Sequence, residues 1–237
     1  MTDIKGVLFD KDGTLLDVMA TWYPVYREVL GEFFDGDEDR IAAALVAGGY
    51  QPDVHNFAAG SMLAAGTPDQ MVDIWWPELT GEARERRIVE ADTLCTEKGL
   101  KFASELMPLQ PLFAQLKEAG LLVGIATNDG TRSAEMQMHQ LEVADQLDFI
   151  VGFDGVENPK PAGDMVHAFC AQTGLAVENV MVVGDNSHDM EMARNAGNCY
   201  AVAVLSGNSG HDDIHHLADV VLASAADLPN HLQSLKN

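Results

Sequence analysis

Short apolar runs alternate with helical segments along the second half of the chain. The runs are continuous in apolar residues, which predicts buried strands, and they lie at 121–127, 149–151, 180–183, 200–204 and 220–222. Helices are predicted at 111–120, 131–141, 161–173 and 187–196, and from about residue 225 onward. Strands that are apolar on both faces and alternate with helices are typical of a parallel sheet covered on both faces. The expected fold class is therefore α/β.

The first half of the chain has a different pattern. One apolar run at 7–9 predicts a strand near the N-terminus, whereas no strand alternation is evident from 18 to 103. Glycine- and proline-containing breaks divide this long segment into predicted helices. Those helices lie at 21–34, 37–46, 68–76 and 82–100.

The early strand is expected to join the later sheet, because a single strand is not stable beside a helical bundle. The helical segment is then an insertion into the sheet domain. We therefore predict a discontinuous sheet domain, residues 1–17 and 104–237, and an all-helical domain of four helices, residues 18–103.

Composition limits the possible partners. The net charge of −23 over 237 residues argues against a nucleic-acid or anionic-membrane surface, since both need basic patches. Any phosphate site must then carry its own local positive charge. The three cysteines, Cys95, Cys170 and Cys199, are far apart, which favours buried thiols in a reducing compartment over a disulfide framework. With no signal-like segment at the N-terminus, the expected location is the cytoplasm.

Polar residues follow four of the apolar runs, at the point where each predicted strand ends. In chain order they are Asp10 with Asp12, Thr127 with Asn128, Lys160 in the loop before a helix, and Asp185 with Asp189. Ligands of open parallel sheets bind beyond the carboxyl ends of the strands. The sequence therefore predicts that these side chains lie around one site.

This set of side chains suits phosphoryl transfer. A carboxylate can attack phosphorus and form an acyl phosphate. Mg²⁺ prefers carboxylate, carbonyl and water oxygens, which Asp10, the backbone carbonyl of Asp12 and Asp185 could supply. The metal and Lys160 would neutralise the phosphoryl oxygens, while the threonine and asparagine would add directed hydrogen bonds.

The motifs, taken in this order, resemble those of the haloacid dehalogenase superfamily, specifically the phosphatases with a helical cap inserted after the first strand. They are Asp10-Lys11-Asp12-Gly13-Thr14, Thr127-Asn128, Lys160, and Gly184-Asp185 with Asp189. Two segments are most similar to the phosphoglycolate phosphatase group: residues 120–128, Gly-Leu-Leu-Val-Gly-Ile-Ala-Thr-Asn, and residues 182–190, Val-Val-Gly-Asp-Asn-Ser-His-Asp-Met. The resemblance covers nearly the whole chain, and it implies a Rossmann-like sheet domain that carries a four-helix cap.

The resemblance also implies roles for individual residues. Asp10 would be the nucleophile, Asp12 the general acid and then the general base, and Lys160 a further catalytic group. The phosphate would be bound by Thr127, Asn128 and Lys160, and Mg²⁺ by Asp10, Asp12 and Asp185. Asp189 is expected to support the waters of the metal or to orient Lys160. Lys11 departs from the family pattern, which often has an aliphatic residue there, and it could alter the field beside the nucleophile.

The expected function is thus Mg²⁺-dependent hydrolysis of a small phosphomonoester through an aspartyl phosphate, with phosphoglycolate as the leading substrate candidate. The expected partner is a small phosphorylated metabolite, and the protein is expected to be a monomer or small homo-oligomer. Two alternatives stay open. One is a sugar phosphomutase of the β-phosphoglucomutase type; the other is a non-catalytic binding protein on the same scaffold, although that interpretation expects a damaged motif.

Taken singly, the features have structural explanations. Thr127-Asn128 could cap a helix N-terminus, Asp185 and Asp189 could do the same for the next helix, and Lys160 could be a solvated loop lysine. The polar cluster from His211 to His216 is interpreted as a polar loop and helix start on the surface rather than a second metal site. Trp22, Tyr26 and Arg27, on the first cap helix, are candidates either for substrate contact or for packing.

Overall fold

A parallel sheet with helices on both faces forms the body of the molecule. The structure, a computed structural model, describes residues 3–197 and 199–235; the ends of the predicted sheet domain, residues 1–2 and 236–237, lie outside the described residues, as does residue 198. The strands, in chain order, are β1 (Gly6–Phe9), β2 (Tyr50–Gln51), β3 (Asn56–Phe57), β4 (Leu122–Ala126), β5 (Phe149–Val151), β6 (Val180–Gly184), β7 (Tyr200–Val204) and β8 (Val220–Leu222). The helices are α1 (Val18–Phe33), α2 (Glu38–Ala47), α3 (Met62–Ala65), α4 (Pro68–Trp75), α5 (Gly81–Phe102), α6 (Leu109–Glu118), α7 (Thr131–Gln140), α8 (Asp164–Thr173), α9 (Ser187–Asn195), α10 (His211–Ile214) and α11 (Leu228–Ser234).

The six-stranded sheet has the order β5-β4-β1-β6-β7-β8, with every neighbouring pair parallel. Numbered on their own, its strands run 3-2-1-4-5-6, which is the doubly wound order of the Rossmann fold. The predicted α/β, Rossmann-like fold is therefore confirmed, including the membership of the early strand in the sheet.

The strand β1 lies in the middle of the sheet, between β4 and β6. Its alternate side chains serve two hydrophobic cores, because successive strand residues point to opposite faces. Val7 and Phe9 pack in the core beneath α6 and α11, whereas Leu8 packs in the core beneath α8 and α9. Because side chains on both faces of β1 are packed in this way, the strand places Asp10 at the centre of the sheet edge that the carboxyl ends of the strands form.

The segment between β1 and α6 has its own core, which is rich in aromatic residues. Trp22 stacks on Tyr26 with ring centroids 5.5 Å apart, and Tyr26 meets Trp75 edge to face at 6.1 Å. Aromatic pairs of this kind add to the stabilisation from burial alone. Both Trp75 and Trp76 are also buried in this core.

The four helices predicted in this segment are present as α1, α2, α4 and α5, and the short α3 accompanies them. One feature corrects the all-helical expectation: β2 and β3 form a two-residue antiparallel ladder in which Tyr50 pairs with Phe57. A ladder of that length is too short for period-2 alternation to be visible in sequence. The division into two domains at residues 17/18 and 103/104 stays a prediction.

Local capping explains where the inserted segment begins. The α1 helix starts at Val18, three residues before the prediction, because the Asp17 carboxylate accepts a hydrogen bond from the Ala20 amide. Accepting such a hydrogen bond is the usual role of an aspartate at the N-cap position. None of the described helices combines the length and apolar character that crossing a membrane would require.

Candidate active site

A cleft lies where the carboxyl edge of the sheet meets the inserted helical segment. One side, which we call the sheet wall, is drawn from residues 10–12, 127–129, 160 and 185–189. The other side, the cap wall, is drawn from residues 22–26, 63–71 and 92–95. The predicted site residues from four different strand ends therefore meet on one wall.

Lys160 joins two carboxylates at the centre of the sheet wall. Its Nζ lies 2.6 Å from Asp10 Oδ1 and 2.6 Å from Asp189 Oδ1. Burial alone would lower the pKa of Lys160, but the two carboxylates more than offset this and raise it. Burial also raises the pKa of Asp10, against the opposing effect of Lys160, to about 6. Lys160 is thus a buried, charged partner of Asp10 and not a solvated loop lysine.

Asp189 and Asp185 differ in what holds them. Asp189 uses both oxygens, since Oδ2 accepts from the Asn186 amide in a capping box and Oδ1 accepts from Lys160. Asp185 is held through Oδ2 by the Asn208 amide at 3.0 Å. A Cβ built on Gly207 would lie 1.8 Å from that same oxygen, so the absence of a side chain there makes room for the carboxylate.

The residues at this edge fit a divalent cation. Carboxylate oxygens of Asp10, Asp185 and Asp189 lie within 4.8 Å of one another, and all three side chains are buried. Burial raises the pKa of Asp185 well above its usual range, and the charges of Asp10 and Asp189 raise it further. Such a site needs more positive charge than Lys160 supplies. Oxygen ligands are those that Mg²⁺ prefers, and Asp10 and Asp185, each held through one oxygen, keep a second oxygen as a candidate ligand.

The carboxylate of Asp12 faces a different set of partners. The Trp22 indole Nε1–H donates to its Oδ1 at 2.6 Å, and Lys11 Nζ lies 2.6 Å from its Oδ2. Because both side-chain oxygens are engaged in this way, the backbone carbonyl of Asp12 stays the predicted point of contact with a metal. A cap residue and a core residue therefore both fix the rotamer of Asp12.

Lys11 is completely buried and pairs with Asp12 rather than with Asp10. Its Nζ also lies 3.1 Å from Asp129 Oδ2 and donates to Gln137 Oε1 at 2.7 Å. Three acceptors match the three N–H groups of an ammonium. Burial by itself would lower the pKa of Lys11, but Asp12 and Asp129 outweigh that effect and raise it.

Thr127 and Asn128 follow β4 beside the cleft and do not cap the next helix, whose N-cap is Gly130. The Thr127 hydroxyl accepts from the Asp129 amide at 3.1 Å, which leaves its own proton free for a ligand. Asn128 Nδ2 donates to the Ala65 carbonyl at 2.9 Å. One amide hydrogen of Asn128 therefore ties the sheet wall to the cap wall.

The described residues of the cap wall that line the cleft are mostly apolar, and one of them carries a carboxyl. Trp22, Tyr26, Leu63 and Met71 contribute rings and aliphatic surface, while Asp92, from α5, contributes the acid. Burial raises the pKa of Asp92 to about 6, and the neighbouring carboxylates of Asp129 and Asp154 add to this effect.

Two further sequence candidates have other surroundings. Arg27 forms an ion pair with Glu38 at 2.7 Å and does not line the cleft, unlike Trp22 and Tyr26. The ligand atoms of His211, Asp212 and His215 lie within 4.8 Å of one another, but all three side chains are exposed. Their exposure agrees with the predicted surface position, and the interpretation that they are not a second metal site stays a prediction.

A fifth strand end contributes to the site and was not predicted. The loop after β7 supplies the Ser206 hydroxyl, which donates to the Gly13 carbonyl at 2.8 Å, and the Asn208 amide that holds Asp185. Asn208 Nδ2 also donates to the Phe57 carbonyl of the cap hairpin at 3.0 Å. The rule applied to the other four strand ends could have found this loop, since it follows an apolar run in the same way.

Comparisons with known proteins agree with this geometry. A family model described as a haloacid dehalogenase-like hydrolase matches residues 4–197. The chain is 31% identical over 240 residues to a phosphoglycolate phosphatase of Escherichia coli, covering 95% of this chain and 91% of that one. It is 29% identical over 229 residues to an N-acetylmuramic acid 6-phosphate phosphatase of Pseudomonas aeruginosa, covering 95% and 93%. A haloacid dehalogenase-like hydrolase from Bacteroides fragilis matches with a TM-score of 0.74 at 18% identity, covering 95% and 99%, a similarity of fold.

Proposed function

This protein belongs to the haloacid dehalogenase-like hydrolases, and on that premise we propose that it is a Mg²⁺-dependent phosphatase of small phosphomonoesters, acting through an aspartyl phosphate. The observation that carries the proposal is the Lys160 bridge between Asp10 and Asp189, with the carboxylate of Asp185 beside it. This combination provides an anionic nucleophile together with the positive charge that an anionic substrate needs.

In the proposed first step, an oxygen of Asp10 attacks phosphorus. The bond from phosphorus to the leaving alcohol oxygen breaks, and Asp12 donates a proton to that oxygen. Burial raises the pKa of Asp10 to about 6, a value that still favours the carboxylate form at neutral pH. Lys160 neutralises charge on the phosphoryl oxygens, and the Thr127 hydroxyl and Asn128 contribute hydrogen bonds.

In the proposed second step, water attacks the phosphorus of the aspartyl phosphate. The Asp12 carboxylate, now deprotonated, takes a proton from that water, and inorganic phosphate leaves Asp10. The same side chain thereby works as acid and then as base. Its fixed rotamer supports this role, because Trp22 and Lys11 hold both of its oxygens.

Mg²⁺ would be held by Asp10, Asp185 and the backbone carbonyl of Asp12, and when bound it would neutralise charge on the phosphoryl group. The buried carboxylate cluster supports this choice of ligands. Asp189, whose two oxygens are both engaged, would orient Lys160.

The names of the curated phosphoglycolate phosphatase relatives support phosphoglycolate as a substrate candidate, whereas the carboxyl of Asp92 on the cap wall weighs against it. We place the enzyme in the cytoplasm, acting on a small phosphorylated metabolite as a monomer or small homo-oligomer. The free thiols of Cys95, Cys170 and Cys199 support a reducing compartment.

Phosphate release from a panel of phosphomonoesters, with Mg²⁺ or with a chelator, tests the proposal. We expect turnover of at least one small phosphomonoester, a loss of at least about 100-fold with chelator, and recovery when Mg²⁺ is restored. Full activity in chelator would contradict the metal, and no release from any ester would contradict the phosphatase. Interconversion of sugar phosphates that depends on a bisphosphate would instead favour the phosphomutase.

A further inference from the structure

The position of the leaving group in the cleft follows from the proposed mechanism. A phosphoryl group at Asp10 lies against the sheet wall, and its ester oxygen has to reach the Asp12 proton. Trp22, on the cap wall, contacts that same carboxylate at 2.6 Å. The remainder of the leaving alcohol must therefore lie along the cap wall.

The cap wall has no cation to receive a second anionic group. Among the described residues that line the cleft, Lys160 is the only lysine or arginine, and it is bound to Asp10 and Asp189. The imidazole of His188 lines the sheet wall, and burial lowers its pKa, so it is uncharged near neutral pH. Lys11 lies behind the wall, fully buried.

The carboxyl of Asp92, on the cap wall, is a hydrogen-bond acceptor that receives no hydrogen bond from the described residues. No hydrogen bond or ion pair joins its carboxyl to any other described residue, and its charged neighbours are the carboxyls of Asp129 and Asp154. A Cβ built on Gly130 would lie only 3.3 Å from Asp92 Oδ1, so the carboxyl lies close against the start of α7, where the residue has no side chain. A partly buried carboxylate without a hydrogen-bond donor is unfavourable, and a donor on the substrate would relieve that cost.

Asp129, in the loop between β4 and α7, is an acid of this region that is already paired. Its Oδ1 accepts from the Gly130 amide at 2.8 Å, and its Oδ2 lies 3.1 Å from Lys11. Asp92 is therefore the carboxyl of this region that retains its full capacity for a ligand.

We propose that the leaving alcohol of the substrate carries a hydrogen-bond donor, either hydroxyl or ammonium, and no carboxylate. Asp92 is the residue that distinguishes leaving groups with a donor from leaving groups with a carboxylate. The inference rests on the proposed phosphatase function and narrows its substrate. Phosphoglycolate would bring its carboxylate against Asp92 with no cation to receive it. Like charges brought together in this way discriminate strongly between ligands.

Three phosphomonoesters of nearly equal size test the proposal, because their two-carbon leaving groups differ mainly in terminal charge. They are 2-phosphoglycolate, 2-hydroxyethyl phosphate and O-phosphoethanolamine, with carboxylate, hydroxyl and ammonium ends. Each is measured with Mg²⁺ as a substrate and as a competitor of para-nitrophenyl phosphate hydrolysis. We expect kcat/KM for the hydroxyl or the ammonium ester to exceed that for phosphoglycolate by at least about tenfold, with the same order as competitors.

The variant Asp92→Asn separates the effect of this charge from the intrinsic reactivity of the three esters. We expect the ratio of kcat/KM for O-phosphoethanolamine to that for phosphoglycolate to fall about tenfold in Asp92→Asn. The control is Glu97→Gln, which removes a carboxylate from the exposed face of the same helix and should leave the ratio unchanged.

The outcomes separate this proposal from the one on which it rests. If para-nitrophenyl phosphate and all three esters resist hydrolysis, the phosphatase function fails. If the enzyme hydrolyses phosphate esters but prefers phosphoglycolate, or if the ratio is the same in Asp92→Asn as in the unaltered protein, only the substrate inference fails.

Discussion

The sheet wall and the cap wall of the cleft differ in whether their charged groups are paired. On the sheet wall the buried ionic groups are joined, with Lys160 Nζ 2.6 Å from both Asp10 and Asp189. On the cap wall Asp92 is partly buried and is joined to no described donor. The sheet wall is also held from behind by a rigid parallel sheet, whereas the cap wall stands on an aromatic core of its own.

The contrast separates two tasks. A nucleophile and the cation beside it must be in place before substrate arrives, because catalytic electrostatics work through groups that are already oriented. A group that recognises the variable part of a substrate has to keep a hydrogen-bonding position open until the substrate occupies it. We infer that paired charge marks the wall that performs the chemistry and that the unpaired carboxyl marks the wall that selects the substrate.

The largest expected effect on turnover is that of substituting Asp10 on the sheet wall. Asp10→Asn removes the attacking oxygen's charge, so steady-state phosphate release should fall by about 10⁴-fold or more. Lys160 keeps Asp189 as a partner in this variant, so the thermal unfolding midpoint should change little. The control is Asp53→Asn in an exposed turn, which should retain full activity. A variant at position 10 with normal turnover would contradict the nucleophile assignment.

The sheet wall was largely predictable from the sequence because topology determines it. An apolar run followed by a polar residue predicts a strand end, and all parallel strand ends meet at one edge. Asp10, Asp185 and Lys160 each lie where this reasoning expected, and their catalytic roles stay predictions. The loop after β7 was not predicted, because Asn208 carries no charge and holds Asp185 through its backbone amide.

The cap wall was not predictable in the same way. Asp92 lies within a long helix whose sequence is rich in charged residues, and nothing local distinguishes it from the exposed acids beside it. Its burial depends on how α5 packs against α7 and on the position of Gly130, both of which are tertiary contacts. The partners of Lys11 were hidden for the same reason, because Gln137 and Asp129 are more than a hundred residues away along the chain.

An intermediate effect is expected at Lys11, which connects Asp12 to Asp129 behind the sheet wall. Lys11→Met removes one member of a completely buried ionic cluster and leaves two carboxylates without their shared cation. Loss of one partner of a buried pair costs about 3–5 kcal/mol, and the free energy of unfolding in urea should fall by that order. Turnover should fall as well, because Asp12 loses a contact that fixes its rotamer.

A double variant distinguishes loss of the ion pair from simple loss of packing. Adding Asp129→Asn to Lys11→Met should recover part of the lost stability, because one of the two carboxylates left without a cation is then neutral. A loss of stability caused by a packing defect would persist in the double variant. The control is Lys5→Met, which alters an exposed lysine and should change stability by less than about 0.5 kcal/mol. Additive effects of the two buried substitutions would argue against the ionic cluster.

The smallest effect is expected at Asp92, and it should depend on pH. The pKa of Asp92 is raised to about 6 in the folded protein, so between about pH 4 and pH 6 the folded state binds more protons than the unfolded state. This group therefore favours folding below about pH 4, and that contribution is lost as the pH rises through 6. Asp92→Asn should be more stable than the unaltered protein by about 1 kcal/mol at pH 7.5, after allowance for solvent screening, and the gain should shrink at pH 5.

Urea unfolding at the two pH values, with Glu97→Gln as the control, measures this difference. A gain that appears equally at both pH values would mean that the carboxyl at position 92 is not destabilised by its ionisation. If the gain appears only at the higher pH and the same substitution flattens the charge preference among the two-carbon esters, one unpaired charge accounts for both effects. The cap wall would then be less stable than it could be because the carboxylate of Asp92 is kept available for the substrate, a form of the common conflict between stability and function.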